Sequence, residues 1–132
     1  MGIGGISASP IGVLLSTDRG IAINGSSKQS DYLVMAKFIW VGSSQVGIPK
    51  IIILNAYVKD NPVAVIGDIR IYDATNGQTI CEVIGISTID TNNIQDMGVI
   101  SNVSEDVAIW EIQGRITSGT QDINADSLNM VF

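Results

Sequence analysis

From Tyr32 to Phe132, short Ile/Val-rich runs alternate with Gly, Asn, Asp and Ser, and no window keeps an apolar stripe at helical spacing for three turns. That period-two pattern predicts strands. Val13–Ser16 and Ile21–Ile23 read as a first short pair around an Asp18–Gly20 turn. Tyr32–Val41 reads as a long strand. Tyr32, Val34, Ala36, Phe38 and Trp40 fall on one face, and Leu33, Met35, Lys37, Ile39 and Val41 on the other. Gly42–Gly47 turns the chain, and Pro49 suits the start of the next strand, where a missing N–H does least harm. Ile51–Val58 is apolar on both faces in its first half, as expected of a strand covered on each side.

Asp60-Asn61-Pro62 marks a turn, and Val63–Tyr72 follows, with Gly67 signalling a bulge or bend. The clearest hairpin joins Ile69–Asp73 to Gln78–Ile84 through Ala74-Thr75-Asn76-Gly77, because Asn-Gly favours positive φ and a tight reversal. Beyond a loop through Thr91–Asn93, strands are predicted at Met97–Ile100, Asp106–Ile116 and Asp126–Phe132. Ala108, Trp110, Ile112 and Ile116 share one face, with Glu111, Gln113 and Arg115 opposite; Leu128, Met130 and Phe132 share another, with Ser127 and Asn129 opposite. An end at Phe132 in phase with a core face places the C-terminus inside a sheet. Roughly eight to ten strands with regular turns predict an all-β, antiparallel β-sandwich of jelly-roll type with negligible helix, a closed barrel being the alternative.

The chain's 132 residues suit one domain over 13–132 behind an N-terminal arm, 1–12. In the arm Gly2, Gly4, Gly5 and Gly12 alternate with Ile3, Ile6 and Ile11. Two readings stand side by side: a flexible leader, and an arm in which Ile3, Ile6 and Ile11 order against a neighbouring subunit. Full burial of each isoleucine is worth about 1.5–3 kcal/mol. Ordering the backbone costs about 1–2 kcal/mol per residue, so the second reading needs a neighbour that supplies a groove.

Charged residues are only 15% of the chain, against roughly 25% in an average globular protein. The net charge of −6 comes with seven scattered Lys and Arg and no basic cluster, which argues against nucleic-acid binding. No apolar run approaches the ~18 residues of a membrane span. The start carries no basic residue before Arg19 and no secretory apolar core, and Ile6 stands where myristoylation needs Ser or Thr. A protein made in a cytoplasm, without membrane attachment, is therefore expected.

Candidate chemistry is sparse. There is no histidine, which removes Ser-His-Asp, Cys-His and His-ligated metal schemes. Cys81, the single cysteine, is expected to be a small buried hydrophobe, against an intermolecular bridge or a reactive thiol. The acids fall mostly at strand ends, where solvated turn residues belong. Glu82 and Glu111 lie within strands and are the pair that could face each other in a carboxylate glycosidase. Asp122-Ile-Asn124-Ala-Asp126 matches the opening of a calcium loop, but Ser127 replaces the required Gly and no late Glu follows, so it is not an EF-hand. A structural cation of another kind and a polar turn entering the last strand are the two readings left. Asn24-Gly25-Ser26 and Asn102-Val103-Ser104 match the glycosylation acceptor at a frequency expected by chance. Trp40 and Trp110 are in phase with core faces; Tyr72, with Asn76 in the adjoining hairpin, is the best-placed ligand contact. No catalytic, cofactor or metal residue is assigned.

The hairpin IYDATNGQTICEV, then MGVISNVSEDVAIWEIQGRI, then the closing INADSLNMVF resemble the end of a jelly-roll sandwich of the kind found in virion surface proteins, that is capsid decoration, cement and fibre-head domains, and in carbohydrate-binding modules. The virion resemblance implies a non-enzymatic structural protein without cofactors, assembled in a host cytoplasm and located on the virion. It implies a homo-oligomer, most simply a trimer, contacting other virion proteins through the arm and serving in capsid decoration or host attachment. The rival resemblance implies a domain that binds a surface glycan.

Overall fold

The computed structural model describes residues 21–22, 31–59 and 64–132. The arm residues Ile3, Ile6 and Ile11 and the strand expected at Val13–Ser16 lie outside them. Eight strands follow in order: β1 (Ile21–Ala22), β2 (Leu33–Trp40), β3 (Ile51–Val58), β4 (Ile66–Asp73), β5 (Gln78–Ile86), β6 (Ile94–Asp96), β7 (Ala108–Ser118) and β8 (Ile123–Val131). A single helical turn, α1 (Ser43–Val46), sits between β2 and β3.

The strands form two four-stranded sheets, β1-β8-β3-β6 and β2-β7-β4-β5. Pairing is nested and antiparallel: β1 with β8, β2 with β7, β3 with β6, β4 with β5. β3 also pairs β8, and β4 pairs β7. A ribbon of four such pairs, rolled so that successive pairs fall in opposite sheets, is the jelly-roll order. The sandwich expected from the strand pattern is thus the fold.

The inner faces bury Ile52, Leu54, Ile69, Ile71, Ile112, Ile116, Ile123 and Leu128 completely. At one end of this core Trp40 and Trp110 stack at 4.4 Å, Phe132 lies 6.4 Å beyond Trp40, and Phe38 meets Trp110 edge-on at 6.0 Å. The Trp40 indole N–H donates to the Ser104 carbonyl at 2.8 Å. The amides of Ser43 and Ser44 donate to the carbonyls of Ser104 and Glu105, so α1 and the β6–β7 segment close that end together. Gly67 is needed where the sheets approach: a Cβ there would fall 2.6 Å from Ile123 Cδ1 and 2.8 Å from the Arg115 carbonyl oxygen. The register also slips beside it, between Ile66 and Gly67, which is the bulge its position signals.

Four sequence expectations are corrected. The short strand is Ile94–Asp96, and Met97–Ile100 is irregular, although Met97 is fully buried with its N–H on the Ile52 carbonyl. β3 is not covered on both faces, since Ile51 is exposed and Ile53 half-buried. β2 does not alternate throughout: a bulge between Val34 and Ala36 puts Met35 in the core with Trp40 and leaves Val34 exposed. β8 begins at Ile123, so Asn124 and Asp126 lie inside a strand and not in a turn leading to one.

Candidate functional site

Period two on β4 and β7 places Asp68, Arg70 and Tyr72 beside Arg115, Gln113 and Glu111 on the outer face of one sheet, each pair in direct register. Arg70 Nε donates to Gln113 Oε1 at 2.7 Å, and Gln113 Nε2 donates to Glu111 Oε1 at 2.8 Å. Arg115 Nε donates to Asp68 Oδ2 at 2.7 Å, while the Gly85 N–H donates to Asp68 Oδ1 at 2.9 Å. Asp68 is only 2% exposed, and two donors are what a buried carboxylate needs. The hydrogen bond that Arg115 donates to Asp68 holds its guanidinium above its ordinary range, burial opposing it.

Tyr32 lies over this row. Arg70 Cζ sits 4.1 Å and Arg115 Cζ 4.5 Å from its ring centroid, and Arg70 is also 4.5 Å from the Tyr72 ring. Two guanidinium groups thus share one aromatic ring, a contact worth about 0.5–2 kcal/mol each as desolvation grows. Burial pushes the Tyr32 phenol above its ordinary range, with Arg115 acting against it. Its hydroxyl is buried without a hydrogen-bond partner among the described residues.

Tyr72 is therefore half-buried in this aromatic–guanidinium row, but Asn76 does not join it. The Asn76 N–H and amide Nδ2 both donate to the Asp73 carboxylate, at 2.8 and 2.7 Å, which fixes the hairpin turn. Glu82 faces Arg70 from β5 and Glu111 faces Tyr72 from β7; β4 lies between them, so the two acids do not oppose each other. Cys81 is buried, and burial pushes its thiol up to about 12. Among the described residues no three His, Cys, Asp or Glu side chains converge on one point, and no helix is long and apolar enough to cross a membrane.

A second surface is apolar. Where β2 and β8 end and β3 and β7 begin, Ile39 and Ile109 are direct cross-strand partners and both exposed, at 51% and 43%. Ile51 and Val131 form another exposed pair on the opposite sheet. Val107 and Ile48 extend the same rim, Ile48 at 62% exposure. The two pairs lie on the outer faces of opposite sheets near one end, and large apolar side chains are exposed elsewhere too, among them Ile84, Ile94 and Val99.

The sequence reading missed Tyr32, Asp68, Arg70, Gln113 and Arg115 as a group. The available signal was the polar alternation Asp68-Ile-Arg70-Ile-Tyr72 against Glu111-Ile-Gln113-Gly-Arg115; Tyr32 could not be placed with them because the β2 bulge changes its face. Comparison with known proteins finds no match: no family model, no curated protein and no solved structure matches this chain.

Proposed function

We propose that this chain is a non-enzymatic structural protein of a virion surface, a capsid decoration, cement or appendage-head domain that assembles as a homo-oligomer. The observation that carries the reading is the apolar rim: Ile39, Ile48, Ile51, Val107, Ile109 and Val131 stand exposed at one end of the sandwich. Two features support it. The strands take the jelly-roll order of the domains the chain resembles, and the charged groups on the outer face of the β2-β7-β4-β5 sheet are matched to one another. The Gly/Ile arm supplies a further contact in this reading, with Ile3, Ile6 and Ile11 added to a neighbour's sheet edge.

Sizing by light scattering tests the assembly. The intact chain forms a closed oligomer, most simply a trimer, and Ile39→Ser with Ile109→Ser dissociates it without lowering the melting temperature of the monomer. Removal of residues 1–12 weakens attachment to partner virion proteins and leaves the fold's melting unchanged. A strict monomer at high concentration overturns the reading.

One observation favours a second reading, a glycan-binding domain. Tyr72 is half-buried beside Arg70, an aromatic face next to a fixed donor. Glycan-array binding that Tyr72→Ala abolishes, by a chain that stays monomeric, would put this reading first.

A further inference from the structure

On the outer face of the β1-β8-β3-β6 sheet, Asn55 and Asp126 are direct cross-strand partners. Asn55 is 8% exposed, and its amide Nδ2 donates to the Thr91 carbonyl at 2.9 Å. That bond fixes the amide's orientation, because exchanging its O and N would set two carbonyl oxygens against each other. Asn55 Oδ1 and Asp126 Oδ1 are both buried, and neither has a hydrogen-bond donor among the described residues. Each of these buried acceptor oxygens, on residues in direct register, forfeits its hydration without gaining a donor.

From this geometry we propose that Asn55 and Asp126 are ligands of a hard cation of the Ca2+ class, with Asn124 as a third oxygen donor. A cation satisfies two unpaired acceptors at once, as a bridging water also does, and an all-oxygen, amide-rich set suits Ca2+ over transition metals. Asn124 lies two residues before Asp126 on the same face of β8 and across from Tyr57. A cleft of about 420 Å³ bordered by Tyr57, Lys59, Thr91 and Asn124 lies beside the pair and reaches the third donor, Asn124, though neither Asn55 nor Asp126 lines it. The set holds one carboxylate, and Lys59 stands at the cleft, so binding falls in the weak, ~10⁻⁴–10⁻³ M class. Ser127, at φ 47°, occupies the bulge between Asp126 and Leu128 that sets Asp126 opposite Asn55. This inference does not depend on the proposed function.

The test is thermal melting of the full chain in Ca2+, in Mg2+ and in chelator, with Tb3+ luminescence excited through Tyr57 as a direct probe. Ca2+ at about ten times its dissociation constant raises Tm by a few degrees, Mg2+ does not, and Tb3+ emits and is displaced by Ca2+. Asp126→Asn abolishes both signals. Asp106→Asn, which removes the same charge from an exposed site, leaves them unchanged, and Asn124→Asp tightens Ca2+ binding about tenfold. The proposal is overturned if Ca2+ leaves the intact chain's Tm unmoved, if Asp126→Asn responds as the intact chain does, or if a high-resolution structure grown in Ca2+ shows a water between the two oxygens. Should Asp126→Asn fail to fold, the responses of the intact chain and of Asn124→Asp decide.

Discussion

The outer faces of the two sheets are built from similar residue types and solve opposite problems. On the β2-β7-β4-β5 sheet, Asp68 meets two donors, Arg70 meets Gln113, and Gln113 meets Glu111. On the β1-β8-β3-β6 sheet, Asn55 and Asp126 set two buried acceptors in register with no donor for either among the described residues. The first face matches its charged and amide groups to one another and leaves the Tyr32 hydroxyl as a buried group without a partner among the described residues. The second lacks a partner, and that lack points to a ligand. The core repeats the contrast at a smaller scale: the Trp40 indole N–H reaches Ser104, whereas the Trp110 N–H, in the ring stacked on it, is buried without an acceptor.

The sharpest way to break the comparison is to unmatch the matched face. Arg115→Ala leaves the Asp68 carboxylate buried with the Gly85 N–H alone, and a cost of about 3 kcal/mol in urea unfolding is expected. Asp68→Asn costs less, because the Arg115 side chain, 31% exposed, still reaches water. Equal costs would show that the pair's burial is not what matters.

Between the tryptophans, Trp40→Phe is expected to cost about 1–2 kcal/mol more than Trp110→Phe. Both lose ring area, but only Trp40→Phe loses a made hydrogen bond, whereas Trp110→Phe deletes an orphaned donor. The difference between their urea midpoints measures it.

Cys81 tests burial of a thiol, which outweighs the opposing effect of its hydrogen bond with the Ile71 backbone. Burial raises its pKa in the folded protein to about 12, from an ordinary thiol value of about 9.0. Below that unfolded value its stabilising effect is fully present. As pH rises from about 9 toward 12, the unfolded chain releases the proton and the folded one holds it, so stability falls by about 1.4 kcal/mol per pH unit. Cys81→Ala should remove this slope from the alkaline melting curve, and thiol reagents at neutral pH should label the native protein only as fast as it unfolds.

The smallest effect sharpens the unmatched face. In chelator, Asp126→Asn replaces a half-buried carboxylate, one oxygen of which is buried without a donor among the described residues, by an amide that can donate to Asn55, so stability should stay level or rise by about 1 kcal/mol. A clear loss in chelator would mean that the carboxylate already has a protein donor.

The all-β character, the Asn76-Gly77 hairpin, the Gly67 bulge and the Trp40 and Trp110 core positions were legible in the sequence, because each is a local signal of alternation, turn chemistry or a small residue at a close approach. Strand phase was legible only between bulges. One extra residue at Met35 moves Tyr32 onto the outer face, and one at Ser127 lets Ile123 and Ala125 share the core with Leu128. Neither slip has a sequence signature, since the gain that stabilises it comes from the facing sheet. The Asp122–Asp126 motif was visible as a run of oxygen donors, but its partner Asn55 is far away in sequence and meets Asp126 only through β3–β8 pairing. Local alternation thus determined that the chain is a sandwich of antiparallel strands. Tertiary pairing alone decided which polar side chains meet, because cross-strand register joins residues that no periodicity along the chain relates.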